Sequence, residues 1–184
     1  MIQFLIFLVI MSVTPGPNTI LAMSAGAEQG FKKTLPYQLG IGIGVFVIAL
    51  IAMVFGELIK DNHLLMTLMK LVGTGYLLYL AYHVLKSQQL SDGTHQAVTL
   101  KTGLLLQFTN VKVYLYAVTG LTGFDVMHDF TFGKILLMVV IGVVGTLMWA
   151  AFGHGLKDVY NRHFTGINRV IAVLLVFSAL DLWR

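Results

Sequence analysis

From Thr102 to Phe124 the chain carries a single charge, Lys112, two residues after Asn110. The run is long enough to cross a bilayer, because a helix rises about 1.5 Å per residue and the hydrocarbon is roughly 30 Å thick. A lysine near a helix end can lift its ammonium to the headgroups along its apolar stem. Lys112 lies on the order of ten residues from either end of the run, too deep for that escape. A charge at such depth costs roughly 2.5–3.5 kcal/mol on insertion scales, so it should face a cavity, a partner or a substrate.

Similar runs recur along the chain. Uncharged stretches bounded by polar loops place spans at Ile2–Ala27, Leu35–Gly56, Leu64–Leu85 (with Lys70 inside), Leu100–Phe124 and Ile135–Leu156. A sixth, Val170–Leu180, is about 17 Å of helix and puts Arg169 and Asp181 at the interfaces. If that segment lies on the surface instead, the chain has five spans. Only 11% of residues are charged, against roughly 25% in soluble domains, and 57% are hydrophobic. The fold class expected is all-α, a polytopic membrane protein of about six transmembrane helices forming one domain over residues 1–184. Met1 to Ala27 is uncharged, and Ala25-Gly26-Ala27 resembles a cleavage site, but the first lysine is Lys32. A signal peptide opens on a basic segment, so this stretch reads as a retained first span.

Charge placement sets the orientation. With six spans, Lys32, Lys33, Lys86, Lys101, Lys157, Arg162 and Arg169 share one side, while Lys60, Lys70, Lys134 and Arg184 share the other. The richer side should be cytoplasmic, with both termini outside. The net charge of +4 comes from short loops without a basic stripe, so no nucleic acid partner is implied. The chain has no cysteine, which excludes disulfides, a thiolate nucleophile and cysteine metal ligands. Nothing in the pattern calls for a cofactor. Lys86–Lys101 reads as a polar linker.

The first span is interrupted by Thr14-Pro15-Gly16-Pro17-Asn18. Each proline removes a donor and clashes with the carbonyl four residues back, so Pro15 frees that of Met11 and Pro17 that of Val13. Such groups are tolerated at membrane depth only beside protein or a wet cavity. The carbonyl end of the first half-helix suits an ammonium, and the amide end that restarts at Pro17-Asn18 suits a carboxylate. Read structurally, the same break is a kink that improves packing. In the fourth span Gln107, Thr109 and Asn110 add polar groups beside Lys112. The sequence offers no mid-depth carboxylate to pair with that lysine, since Glu57 and Asp181 fall near span ends, which favours an anionic ligand. Its structural alternatives are a buried ion pair or a carbonyl clamp. Breaks in the first and fourth spans fit a 3+3 inverted repeat with its site at the midplane. The candidate substrate-binding residues are Pro15, Gly16, Pro17, Asn18, Gln107, Asn110 and Lys112.

Remaining features read as structural. Gly40, Gly42 and Gly44, and likewise Gly142 and Gly145, suit close helix packing, and such faces would also serve a homodimer. Gly73 and Gly75 beside Tyr76, Tyr79 and Tyr82 suggest a packing face running into an interfacial aromatic belt, with a substrate-facing tyrosine as the alternative. His83 and His154 read as interfacial. Lys60, Lys70 and Lys134 read as solvated or snorkelling, and Trp183-Arg184 as an interfacial anchor in contact with lipid. A cation permease would need acidic, carbonyl or histidine clusters within the spans, whereas the mid-depth charge is positive. His-Glu-x-x-His, Gly-x-Ser-x-Gly and paired buried aspartates are all absent, which argues against an enzyme.

Thr14-Pro15-Gly16-Pro17-Asn18, followed by Gly26 and Gly30-Phe31, resembles the opening of the lysine exporter (LysE/RhtB) family of amino-acid exporters. Gly73-x-Gly75-Tyr76-Leu77-Leu78-Tyr79-Leu80 resembles that family's third span. Many members carry Asn-Pro-Lys in the fourth span, where this chain has Asn110-Val111-Lys112. That departure, with Gln107-Phe108 before it and Leu115-Tyr116-x-Val118-Thr119 after, is similar to the cysteine/O-acetylserine exporter branch. The resemblance implies efflux of small amino acids or their derivatives across the bacterial inner membrane, linked to the proton gradient. Homoserine or threonine efflux is the alternative within the family. Because the family's proline is a valine here, how sharply the fourth helix breaks is left open.

Overall fold

The computed structural model describes residues 1–86, 98–124, 131–181 and 183, and among these every regular element is helical. The first span is two half-helices, α1 (Ile2–Val13) and α2 (Pro17–Gln29), bent by 52°. Pro17 occupies the first helical position of α2, where a missing N–H breaks no helical bond. At the other end Gly30 adopts φ +84°, a left-handed value that glycine accepts without strain, and the chain turns through a 3-10 segment, Phe31–Thr34. The second span, α3 (Leu35–Asp61), starts with Pro36 in its first turn, and α4 (His63–Lys86) follows.

The fourth span is also broken, at a single residue. α5 (Leu100–Thr109) stops, Asn110 is extended at φ −96° and ψ 96°, and α6 (Val111–Thr122) restarts at once. No proline is needed, because the Asn110 carboxamide caps the new helix, Oδ1 accepting from Lys112 N–H at 3.1 Å. The fifth span is α7 (Thr131–Gly155). Phe31–Phe55 and Thr131–Gly155 are each long and apolar enough to cross a bilayer alone, and the α1–α2 pair qualifies as one bent span.

After the short α8 (Lys157–Arg162), α9 (Phe164–Asp181) is longer than the uncharged segment alone suggests, about 27 Å at 1.5 Å per residue. It packs lengthwise on α4, and Trp183 beyond its end donates from Nε1 to Thr74 Oγ1 of α4 at 2.8 Å. The sixth segment therefore belongs to the bundle and does not lie apart on a surface.

Helix pairing has a simple order. The first span packs on α7, α3 packs on the fourth span, and α4 packs on α9. Exchanging spans one with four, two with five and three with six maps this set of contacts onto itself, as an inverted repeat requires. Glycines bring both crossed pairs to backbone contact. A Cβ on Gly26 would overlap the Ala150 carbonyl oxygen, and one on Gly153 that of Met23. Across the other pair, Gly40 abuts Leu100 O and Gly103 abuts Tyr37 O. A main core around Phe4, Ile48, Leu106 and Met138 lies between these pairs, and a second, with Ile20, Tyr160 and Leu175, ties α2 to α4, α8 and α9.

Three expectations need correction. Lys134 is buried (4% exposed) and does not snorkel: Nζ donates to Leu121 O and Phe124 O, both at 3.1 Å, and sits 5.5 Å from the Phe4 ring centroid. An ammonium there closes the carbonyl end of α6, the partly negative pole of a helix. Lys134→Met should strand those carbonyls and cost about 1–3 kcal/mol, read as a lower unfolding midpoint of the purified protein in detergent. Gly75 has open space around its Cα and makes no packing contact. Gly142 likewise meets nothing within 4 Å, while Gly145 packs on Ser12 as expected. Of the remaining interfacial readings, His154 is exposed and Lys70 half-buried. Most of the polar linker, Arg184 and the side chains of Glu57, Lys60, Tyr76, His83 and Asp181 lie outside the described residues.

Candidate functional site

The two breaks meet. The Asn18 side chain, in the first turn of α2, pairs face to face with Gln107 at the end of α5. Asn18 Nδ2 donates to Gln107 Oε1 at 2.8 Å, and Gln107 Nε2 returns a bond to Asn18 Oδ1 at 3.2 Å. Gln107 Nε2 also donates to Gly103 O at 2.7 Å, and Asn110 Nδ2 reaches Asn18 Oδ1 at 3.3 Å. Three carboxamides thus form one network across the first and fourth spans, and Tyr37 of α3 adds a hydroxyl to Asn18 O at 3.3 Å.

Lys112 completes the connection. Its Nζ donates to Thr14 O at 2.8 Å, at the carbonyl end of α1, and its stem lies against Gly16. A Cβ at Gly16 would come within 3.3 Å of Nζ, which explains a small residue there without invoking φ, since Gly16 is simply extended. The adjacent Val13 carbonyl, one of the two that the prolines were expected to free, accepts from Trp149 Nε1 of α7 at 3.0 Å. The Gly16 N–H is held by Thr19 Oγ1 at 2.8 Å. Three backbone groups of the break, Val13 O, Thr14 O and Gly16 N–H, thus have partners, as hydrocarbon demands.

Beside this network lies a cavity of about 50 Å³, room for a few waters. Gly16, Pro17, Asn18, Asn110 and Lys112 line it, together with Thr146. Gly142 leaves its wall open, which is why that glycine packs against nothing. Of the seven residues read from sequence, Pro15 and Gln107 are absent from the lining. Gln107 is fully buried (0% exposed), with its amide spent on Asn18 and Gly103, so it holds Asn18 in place. α2 and α6 both start at the breaks, so the partly positive ends of both helices border this space, with the Lys112 N–H of α6 already capped by Asn110.

Sequence reasoning missed Thr146, Tyr116, Gln38 and Trp149. Tyr116 lines the cavity with its hydroxyl committed to Met138 O at 2.9 Å. Thr146 Oγ1 donates to Gln38 Oε1 at 2.6 Å, and Gln38 Nε2 answers to Thr146 O at 3.4 Å. That polar tie joins spans two and five as Asn18–Gln107 joins one and four. A lone glutamine inside an apolar span was the available signal, since both Gln38 and Thr146 are buried.

A helical multi-pass membrane protein with two broken spans meeting at a cavity of mixed polar and apolar lining has the architecture of a secondary transporter. The chain belongs to the LysE type translocator family, whose model matches residues 9–184. It is 30% identical over 186 residues to the cysteine/O-acetylserine efflux proteins of Salmonella choleraesuis (strain SC-B67) and Salmonella typhimurium (strain LT2), covering 98% of this chain and 95% of each relative. The protein of the same name from Escherichia coli (strain K12) is 29% identical over the same coverage. No solved structure matches. Membership places the chain in the bacterial inner membrane as a multi-pass protein.

Proposed function

We propose that this protein exports a small amino acid or amino-acid derivative of the cysteine/O-acetylserine kind, driven by the proton gradient, through the cavity between the two breaks. The observation that carries this reading is the Lys112–Thr14 contact beside the Asn18–Gln107–Asn110 network. A zwitterion brings one group for each side of that contact. Its carboxylate takes the Lys112 ammonium beside the partly positive amide end of α2. Its ammonium takes the Thr14 carbonyl that Lys112 gives up. Both protein groups stay satisfied through the exchange, so a deep charge is never left bare. Asn18 and Asn110 orient the substrate, and Gln107 fixes Asn18.

The test is metabolite profiling of medium from cells overproducing the chain. Cysteine or O-acetylserine should rise severalfold over cells carrying an empty vector. Excess threonine or homoserine instead would keep the transporter and change its substrate. An unchanged profile would sink the export reading.

A further inference from the structure

Gly142 sits midway along α7 on the face that turns inward. Met138 and Thr146, one turn before it and one turn after, are both buried, and Gly145 packs on Ser12 of α1. Glycine is kept in membrane helices chiefly where two backbones must touch, as at Gly26, Gly40, Gly103 and Gly153. Gly142 has no such neighbour, since a Cβ there would meet nothing within 4 Å. Gly75, Gly155 and Gly166 also have open space around them, but all three are exposed. Gly142 is only partly exposed, and it lines the cavity at the breaks. Alanine would make the better helix at this position. Packing does not account for the glycine; the space beside it does.

The lining says what that space suits. On the export reading, a zwitterion spends its carboxylate on Lys112 and its ammonium on Thr14 O, so the substituent on its α-carbon is left to the rest of the wall. Met11, Ile41, Val45 and Val113 make that wall largely apolar, with Gly142 and Thr146 beside them. The Thr146 hydroxyl is already given to Gln38 Oε1 at 2.6 Å. Among the described residues of the lining, Lys112 alone is charged. A basic side chain would be repelled by that ammonium, and an acidic one would compete with the α-carboxylate for it. The whole cavity measures about 50 Å³, so a single methyl group is a large share of the room.

We infer that Gly142 sets the upper size of the side chain the cavity accepts, and that the site takes amino acids whose side chains are short and uncharged. The inference rests on the export reading and adds to it the residue that selects among substrates. One methylene more or less in a close-fitting pocket changes discrimination about 10- to 200-fold. A methyl group added at position 142 should act on that scale. It should do so without disturbing the bundle, because nothing stands where the new carbon would go.

The full chain in proteoliposomes, given labelled cysteine kept reduced or labelled O-acetylserine, tests this, since O-acetylserine carries the longer side chain. Gly142→Ala should slow O-acetylserine about tenfold or more and cysteine by less than about threefold. Gly142→Leu should stop both. The thermal midpoint of Gly142→Ala in detergent should match or exceed that of the wild type, because alanine favours the helix and its methyl enters open space. A lower midpoint would show position 142 to be packed and would overturn the inference. An unchanged ratio of the two rates in Gly142→Ala would overturn it as well, leaving the export reading in place. Movement of neither amino acid by the wild type would sink the export reading, and the selecting role of Gly142 with it.

Discussion

Lys112→Gln is expected to reach the membrane at near wild-type abundance and to lose export of labelled O-acetylserine from preloaded cells by about ten- to a hundredfold. The size follows from one hydrogen bond to a charged group, about 1.5–3 kcal/mol, at about 1.4 kcal/mol per tenfold. Glutamine is the informative replacement because it keeps an N–H donor that can still reach toward Thr14 O, so the two breaks remain tied. What it lacks is the charge that a substrate carboxylate would exchange for that carbonyl. The present contact, 2.8 Å from Nζ to a helix-end carbonyl, is the resting half of such an exchange. Full export by the variant would remove the ammonium from the site. Loss of abundance together with export would make Lys112 a structural clamp between spans one and four.

Much of the bundle could be read from hydropathy, because the bilayer forces helices wherever charge is missing for long enough. The break at Pro15–Pro17 was legible for the same reason, since proline chemistry is local. The break at Asn110 was only half legible. Valine at 111 gives no stop signal, and the helix ends there because an asparagine side chain caps the restart at Lys112, an interaction that propensity alone does not specify.

Side-chain destinations were less accessible. The sequence offers Gln107 as a polar group beside Lys112 and so as a candidate substrate contact. Yet its amide is consumed by Asn18, a partner 89 residues away in sequence. Lys134 reads from sequence as solvated or snorkelling, but the carbonyl end of α6 draws it inward. In each case the deciding partner belongs to another helix.

Gly153→Val and Gly103→Val are each expected to abolish monodisperse, folded protein in detergent extracts, whereas Gly75→Ala should accumulate normally. Helices in lipid gain nothing from hiding apolar surface from one another, so close packing itself drives their association. At Gly153 the obstacle is the Met23 carbonyl, and at Gly103 the Tyr37 carbonyl, both backbone atoms that cannot rotate aside. Overpacking a tight interior typically costs 1–3 kcal/mol even where side chains can yield, and more where they cannot. Gly42→Ala should fall between, because its new methyl would sit 3.2 Å from Val143 Cγ2, a side-chain atom able to shift. Nothing lies within 4 Å of Gly75, and an alanine there should gain about 0.5–1 kcal/mol of helix preference. The paired result matters most. Gly153 joins spans one and five, Gly103 joins two and four, and an inverted repeat makes those interfaces equivalents. Comparable loss at both, measured by size-exclusion profile and thermal midpoint, is what two structurally matched halves require. A protein that tolerates valine at one position and not at the other would show that the halves carry unequal shares of the packing around the cavity.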